Sequence, residues 1–355
     1  MKHTLAKCPH GFEPVVLKYP EEIKDLISVI IPIYNTELYI REALDSLIAQ
    51  TFENWEAILV DDGSTNKCPE ICAGYVEKDS RFKYIRKIHE GTLLARKIGL
   101  ENSRGEFIAN LDSDDIYHPQ FLEKMFAKIK EEDNDFVYCN FKSLGVNYKD
   151  YQAEYYKLSD NKLENCYNTI NKITETIWSK LVKRNIYAKV LFPQIGDFRS
   201  EDTVQTVQIT YHSKKAEFVP ECLYFYRDNS IYSIANTTNV VSKERRYVRR
   251  IIGVVLLYVI IEKFFGSDEA EVFIADIKRI AVAFSCYFLL NKDVITRHEI
   301  KYVENFVPVF LSGLSKAKRI RTYFKIILIL ACKGFTLPYK IYDILREIRD
   351  FLKNS

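Results

Sequence analysis

The chain has 355 residues, of which 47% are apolar and 28% charged, with only 12 Gly and 10 Pro. That composition excludes a collagenous or disordered protein and leaves room for one large domain with an extension. The net charge of +3 is unevenly spread: Ser315 to Ser355 carries ten Lys or Arg against three Asp or Glu, leaving 41 against 45 elsewhere. An acidic body argues against nucleic acid as a partner, whereas a basic tail with apolar residues between its charges suits an anionic membrane surface.

The eight cysteines form no CxxC pair, and several sit in apolar runs, as reduced thiols do in a reducing compartment. Cys8 with His10 and His3, or Cys68 with Cys72, lacks the second half of a zinc site. The opening "MKHTLAKCPHGFEPVV" has no apolar signal-peptide core, so the expected location is the cytoplasm. The longest apolar run, Ile251 to Ile261, is shorter than the roughly 20 residues that span a bilayer, so no transmembrane helix is expected.

In chain order, the nearly continuous apolar run from Ile27 to Ile31 predicts a strand buried on both faces, ended by Pro32. Asn35 or Thr36 can cap the next helix, Glu37 suits its first turn, and Ile40, Ala43, Leu44, Leu47 and Ile48 recur at helical spacing. "WEAILV" predicts a second strand, "RFKYIRK" a third, Thr92 to Asn102 a helix, and "EFIANL" a fourth strand. This alternation predicts a parallel, doubly wound sheet with ligands beyond the carboxyl ends of its strands. Three polar clusters lie there: Pro32 to Asn35, Asp61 to Ser64, and Asp112 to Asp115. Further on, "DFVYCNF" reads as a strand, a Tyr- and Asn-rich stretch runs to Asn171, and "ITETIWSKLVKRNIY" reads as a helix. "AEFVPECLYFYR" returns to strand-like residues, and after about Val240 the pattern is helical, with a junction expected near residue 235.

Aspartates crowded at a strand end repel one another unless a cation arrives with the substrate. Mg²⁺ or Mn²⁺ takes oxygen ligands, and Mg²⁺ is commonly held by one or two carboxylates plus substrate phosphates. Asp112 and Asp114 therefore point to a diphosphate-bearing substrate, with an ordinary turn as the alternative. Asp61 and Asp62 can accept hydrogen bonds from a uracil-like base or a ribose, and Gly63 allows a backbone conformation that other residues resist. "DDGS" is also a good turn sequence.

Together, "SVIIPIYN", "AILVDDGST", "GTLLARKIGLENSRGEFIANLDSDD" and "SEDTVQT" resemble, in order and spacing, the family 2 glycosyltransferases, inverting nucleotide-sugar enzymes of the GT-A fold. The resemblance runs from about Leu26 to Arg227. It implies an α/β domain over 26–235 with a doubly wound mixed sheet, preceded by an extension over 1–25 and followed by a mainly helical region over 236–355. It also implies that Pro32, Tyr34 and Asn35 lie at the nucleotide, that Asp62 contacts the base and that Asp61 supports it. Arg96, Asp112 and Ser113 become donor-side residues, Asp114 the direct metal ligand beside Asp112, and Asp202 of the Glu201–Asp202 pair the catalytic base. Lys97 departs from the family's usual Asn and leaves the contact made there open. "IWSKLVKRNIY" is similar to a segment of bacterial polysaccharide-assembling members.

Direct displacement at an anomeric carbon needs a carboxylate on the acceptor side to take the hydroxyl proton, and Asp202 is the candidate. The alternative for Glu201–Asp202 is a solvated first turn of the helix "EDTVQTVQITYH". Arg227 can contact phosphate or pair with Asp228, and Trp178 can stack on a sugar or simply pack in the core. The resulting expectation is a transferase moving a sugar from a UDP-type donor to a saccharide or lipid-linked acceptor in surface polysaccharide assembly. Residues 315–355 would pack on the protein, rest peripherally on the inner face of the plasma membrane, or pair with a second copy through the same face. Two competitors are a nucleotidyltransferase, disfavoured because "PIYNTELY" lacks a Gly-rich triphosphate loop, and a non-catalytic sugar-nucleotide or membrane-binding module on the same fold.

Overall fold

The computed structural model describes residues 18–144, 150–192, 200–228, 253 and 256–276. The expected junction near residue 235, the basic 315–355 segment and the Cys8–His10 pair lie outside the described residues. The chain divides into two compact units, one holding 9–197 with 201–237, the other holding 238–355 with two short segments. In the second unit residues 256–265 and Ser267–Asp276 are helical. Among the described residues no helix is long and apolar enough to cross a membrane.

The first unit opens with β1 (Ile23–Ile33), α1 (Ile40–Ile48), β2 (Trp55–Asp61), α2 (Cys68–Lys78), β3 (Phe82–Arg86), α3 (Thr92–Glu101) and β4 (Gly105–Asn110). These four strands pair in parallel in the order β3-β2-β1-β4. Ile27, Val29, Ile30 and Ile31 are fully buried, as a strand covered on both faces requires. Each such side chain contributes roughly 1.5–3 kcal/mol by leaving water. Ile40, Ala43, Leu44 and Leu47 form the buried face of α1. A Cβ on Gly99 of α3 would stand 2.4 Å from Ile30 Cγ2, so glycine is what lets α3 lie so close to the sheet.

The remaining elements are β5 (Ile116–Tyr117), α4 (Phe121–Glu131), β6 (Phe136–Ser143), β7 (Asp150–Tyr151), α5 (Lys162–Asn168), β8 (Lys180–Lys183), α6 (Arg184–Tyr187), α7 (Glu201–His212) and β9 (Ala216–Tyr226). They extend the sheet past β4 in the order β8-β6-β9-β5, with β7 paired to β6. β8 runs antiparallel to both β4 and β6, so the sheet is parallel in one half and mixed in the other.

Four local expectations change. β1 does not end at Pro32, which pairs in register with Val60, but runs on to Ile33. "ITETIWSKLVKRNIY" is not one helix: Lys180–Lys183 is a strand inserted between β4 and β6. Its side chains from Ile177 to Val182, Ser179 and Lys180 included, are all buried, and so short a buried run carries no period that separates strand from helix; the open slot between two strands decides. Asn35 and Thr36 do not cap α1 with their side chains; the Thr36 carbonyl accepts the Tyr39 and Ile40 amides, both at 2.9 Å. The Tyr- and Asn-rich stretch contains α5, capped by the Asn161 side chain accepting the Glu164 amide at 3.1 Å. Asn-x-x-Glu before that helix is a legible start signal.

Candidate active site

Parallel pairing puts the three polar clusters side by side at the carboxyl edge of β1, β2 and β4, and hydrogen bonds join them. Asn35, with φ +56°, accepts the Thr65 amide on its Oδ1 at 2.9 Å and donates its own amide to Ser64 Oγ at 3.0 Å. Thr36 Oγ1 donates to Ser113 Oγ at 3.0 Å. Pro32 is buried within β1, and Tyr34 is exposed with its ring stacked on His89, centroids 4.0 Å apart.

Asp61 and Asp62 are both buried but differently engaged. Asp61 accepts the Ser64 amide at 2.7 Å and the Tyr84 hydroxyl at 2.6 Å, closing its own turn. Asp62 accepts Lys87 Nζ (2.6 Å) and the Glu90 amide (3.0 Å) on Oδ1, and the Gly91 amide (2.8 Å) on Oδ2, which also lies 2.8 Å from His89 Nδ1. Four partners fill the acceptor positions of a carboxylate, so Asp62 organises the crossing into α3. Gly63 has φ +79°, and a Cβ there would meet the His89 amide nitrogen at 3.0 Å. Glycine is needed at that bend on both counts.

The three aspartates after β4 divide their work. Asp112 accepts Arg96 Nη2 at 2.7 Å, and Asp114 is partly exposed while its carbonyl accepts Arg227 Nε at 2.9 Å. Asp115 is buried and takes the Tyr224 hydroxyl and the Arg227 amide, both at 2.7 Å. Burial, with Asp114 and then Asp112 nearby, pushes its carboxyl well above the ordinary range. Tyr224 OH also receives the Asp112 amide at 3.3 Å, so β9 fastens the whole turn. Asp115 is thus an anchor. Asp115→Ala is expected to destabilise the fold by about 2–3 kcal/mol, read from urea unfolding, because two buried donors lose their acceptor.

Among the described residues no group of three or more His, Cys, Asp or Glu is placed to hold a metal. Asp112 and Asp114, both partly exposed just after β4, offer the kind of oxygen donors that a hard divalent cation takes when substrate phosphates and water complete its shell.

Arg96 joins this turn to α7. Its side chain is 2% exposed, and it donates through Nη2 to Asp112 and through Nη1 to Asp202 Oδ1 at 2.8 Å, with Glu201 Oε1 at 3.9 Å. Burial works against the guanidinium charge, but Asp202, Asp112 and Glu201 outweigh it and hold the charge firmly. Asp202 Oδ2 accepts the Ile177 amide at 3.3 Å. Burial raises the Asp202 carboxyl and Arg96 opposes the rise; Glu201 is raised by burial and by Asp202. The pair is therefore no freely solvated helix turn.

Arg227 pairs with Glu42 at 2.8 Å and lies over the Tyr39 ring, rather than pairing with Asp228. Trp178 is 5% exposed and stacks on Tyr224 with centroids 4.1 Å apart, a core position. Lys97 is paired with Glu101 at 2.8 Å, one turn along α3. Asp115 is legible in the sequence only as a member of the acidic cluster and Tyr224 only as a strand residue, and the Ile177 amide, being backbone, carries no residue signature at all.

Residues 28–191 match the family described as "Glycosyl transferase family 2". Over 226 residues the chain is 30% identical to glycosyltransferase GlyG of Streptococcus pneumoniae serotype 4, covering 59% of this chain and 72% of GlyG. The chain belongs to glycosyltransferase family 2. Two other relatives are 34% identical: glycosyltransferase GlyA of the same organism (58% of this chain, 31% of GlyA) and putative glycosyltransferase EpsH of Bacillus subtilis (57% and 60%). The family 2 chain thus spans less than two thirds of either of these. In structure it is similar to S. aureus TarS 1–349, with TM-score 0.64 and 19% identity over 88% of this chain and 89% of that one. The sheet is the mixed sheet of the GT-A fold.

Proposed function

We propose that this glycosyltransferase moves a sugar, with inversion, from a UDP-sugar to a hydroxyl of a saccharide or lipid-linked acceptor in surface polysaccharide assembly. The observation that carries the reading is the Arg96 fork, which gathers Asp112 of the DxD turn and Asp202 of α7 onto one guanidinium. A carboxylate of raised proton affinity and a diphosphate-side aspartate are thereby held at opposite ends of one rigid group. S. aureus TarS, similar in fold, has been solved with UDP-GlcNAc and with UDP.

In this reading the acceptor oxygen attacks the anomeric carbon from the face opposite the nucleoside diphosphate, and Asp202 takes its proton. The bond to the departing diphosphate oxygen breaks as the new glycosidic bond forms, so the anomeric configuration inverts. Arg96 and the Ile177 amide keep the Asp202 carboxylate oriented. Asp114, with Asp112, would hold a divalent cation, Mn²⁺ or Mg²⁺, whose charge offsets that of the leaving diphosphate. Tyr34, Asn35 and the Asp61–Ser64 turn form the nucleoside side. Because Asp62 is saturated by protein donors, a base reaching it would displace exposed His89.

The test is thermal unfolding with UDP, GDP, TDP or CDP, each with and without Mn²⁺, for the wild type and Asp114→Ala. The expected result is Mn²⁺-dependent stabilisation by UDP, about 2.7 kcal/mol at a hundredfold excess over Kd, which weakens in the variant. Stabilisation by none of the nucleotides, in a folded protein, removes the reading. UDP stabilisation indifferent to Mn²⁺ and to Asp114→Ala removes only the metal assignment.

A further inference from the structure

We propose that Lys180 is a positioning residue for the Asp202 carboxylate, acting through the backbone of residues 174–177; this rests on Asp202 being the base. Lys180 is the first residue of β8 and only 1% exposed. It pairs with Tyr138 of β6, and the neighbouring Ala109–Leu181 pairing sets it beside the carboxyl end of β4, just before the DxD turn. An ammonium taken from water into a central strand is costly, and an apolar side chain of the same length would pack there at lower cost. Packing therefore does not explain this lysine.

Its Nζ donates to the Thr174 carbonyl at 2.9 Å and to the Thr176 carbonyl, both in the short segment that enters β8. That segment is bent, with Thr174 at φ +150°, a conformation side chains seldom adopt. α7 also holds it: Thr203 Oγ1 donates to Glu175 Oε2 at 2.9 Å, and Thr206 Oγ1, whose proton is shared with the Asp202 carbonyl of its own helix at 2.8 Å, stands 3.3 Å from the Glu175 carbonyl. The segment presents the Ile177 amide to Asp202 Oδ2 at 3.3 Å, near the outer limit of a hydrogen bond. A small relaxation of the segment would break it.

Charge supports the geometry. The groups acting on Asp202 are Arg96, Asp112, Lys180 and the adjoining Glu201, and those acting on Lys180 are Asp202 and Cys139. Burial lowers the Lys180 amine to about 7, Asp202 opposes that fall, and Lys180 in turn favours the ionised Asp202.

The test is Lys180→Met, with Lys180→Gln read in the same way should the Met variant not fold, and Asp202→Asn beside them. In Lys180→Met the melting temperature is expected to change little, because relief of the lysine's burial offsets the two carbonyls left without their donor, while amide exchange in a peptide spanning 174–178 quickens about tenfold or more. With the donor selected by the nucleotide screen, kcat falls about 10- to 100-fold at unchanged donor KM. The acid limb of its pH profile moves up, since Asp202 loses a cation and an amide donor. Unchanged exchange, or a fall in kcat that tracks a fall in melting temperature with the limb in place, overturns the proposal. Transfer retained in Asp202→Asn defeats the base assignment itself. Transfer lost there but kept at wild-type kcat in Lys180→Met defeats the lysine alone.

Discussion

Asp202→Asn is expected to lower kcat by about 10²- to 10⁴-fold, the contribution of a positioned general base, with donor binding within about twofold of the wild type. The amide is isosteric: its oxygen can still accept Arg96 Nη1, and Arg96 keeps Asp112 as a counter-charge. The residues proposed for the nucleoside, Tyr34, Asn35 and the Asp61–Ser64 turn, lie on other loops, so the loss should fall on the chemical step. The wild-type profile should also show an acid limb above the ordinary carboxylate range, because burial raises the Asp202 carboxyl more than Arg96 lowers it. Activity is lost as pH falls through that raised value, and the limb disappears with the carboxylate. If kcat in Asp202→Asn stays within about tenfold, the base lies elsewhere, and Glu201, 3.9 Å from the same guanidinium nitrogen, is the next candidate.

Arg96→Met should be the most destabilising single change at the site. It removes the one cation shared by Asp112, Glu201 and Asp202, whose side chains are only 27%, 21% and 22% exposed. Leaving paired charges uncompensated costs about 3–5 kcal/mol when burial is complete, and residual solvent here places the expected loss at about 2–4 kcal/mol. Without the guanidinium the Asp202 and Glu201 carboxyls, already raised by burial, lose the cation that opposes that rise and move further up. Such groups stabilise the fold when protonated and withdraw that contribution as pH rises, so the deficit should shrink toward pH 5 and grow toward pH 8. Urea midpoints at several pH values, at constant m, provide the check. A deficit under about 1 kcal/mol at every pH would mean that the three carboxylates are not gathered in solution. Arg96→Lys should fall between, since an ammonium keeps the charge but cannot fork to two carboxylates.

Much of the first half of the fold is legible from residue patterns. The Ile27–Ile31 run is strand β1, and the 40, 43, 44 and 47 positions are the buried face of α1. The clusters at Asn35, Asp61–Ser64 and Asp112–Asp115 follow their strands directly and do meet at one edge. The physical reason is locality: buried parallel strands and amphipathic helices leave a period in the chain, and a parallel sheet must place its strand ends together. The second half is less legible because β8 is four residues long and its first three residues are all buried, so it has no period to betray it.

The residues that look alike in sequence are separated only by their surroundings. Asp112, Asp114 and Asp115 are the same side chain within four positions, yet one faces Arg96, one is partly exposed, and one is buried against Tyr224. Asp61 and Asp62 differ in the same way, one closing a turn and the other filled by the Lys87–Gly91 crossing. The sequence by itself determined the family, the strand-loop-helix rhythm and which side chains have the chemistry for a sugar-nucleotide site. Only the tertiary structure decided that Arg96 ties Asp112 to Asp202, that Asp115 is an anchor, and that a buried lysine on β8 reaches the segment whose Ile177 amide meets Asp202. The Arg96 and Asp115 contacts reach across 16 to 112 residues of chain, and the lysine's contact with Thr174, though six residues long, matters because its segment meets Asp202 25 residues further on, a property of packing that no local pattern encodes.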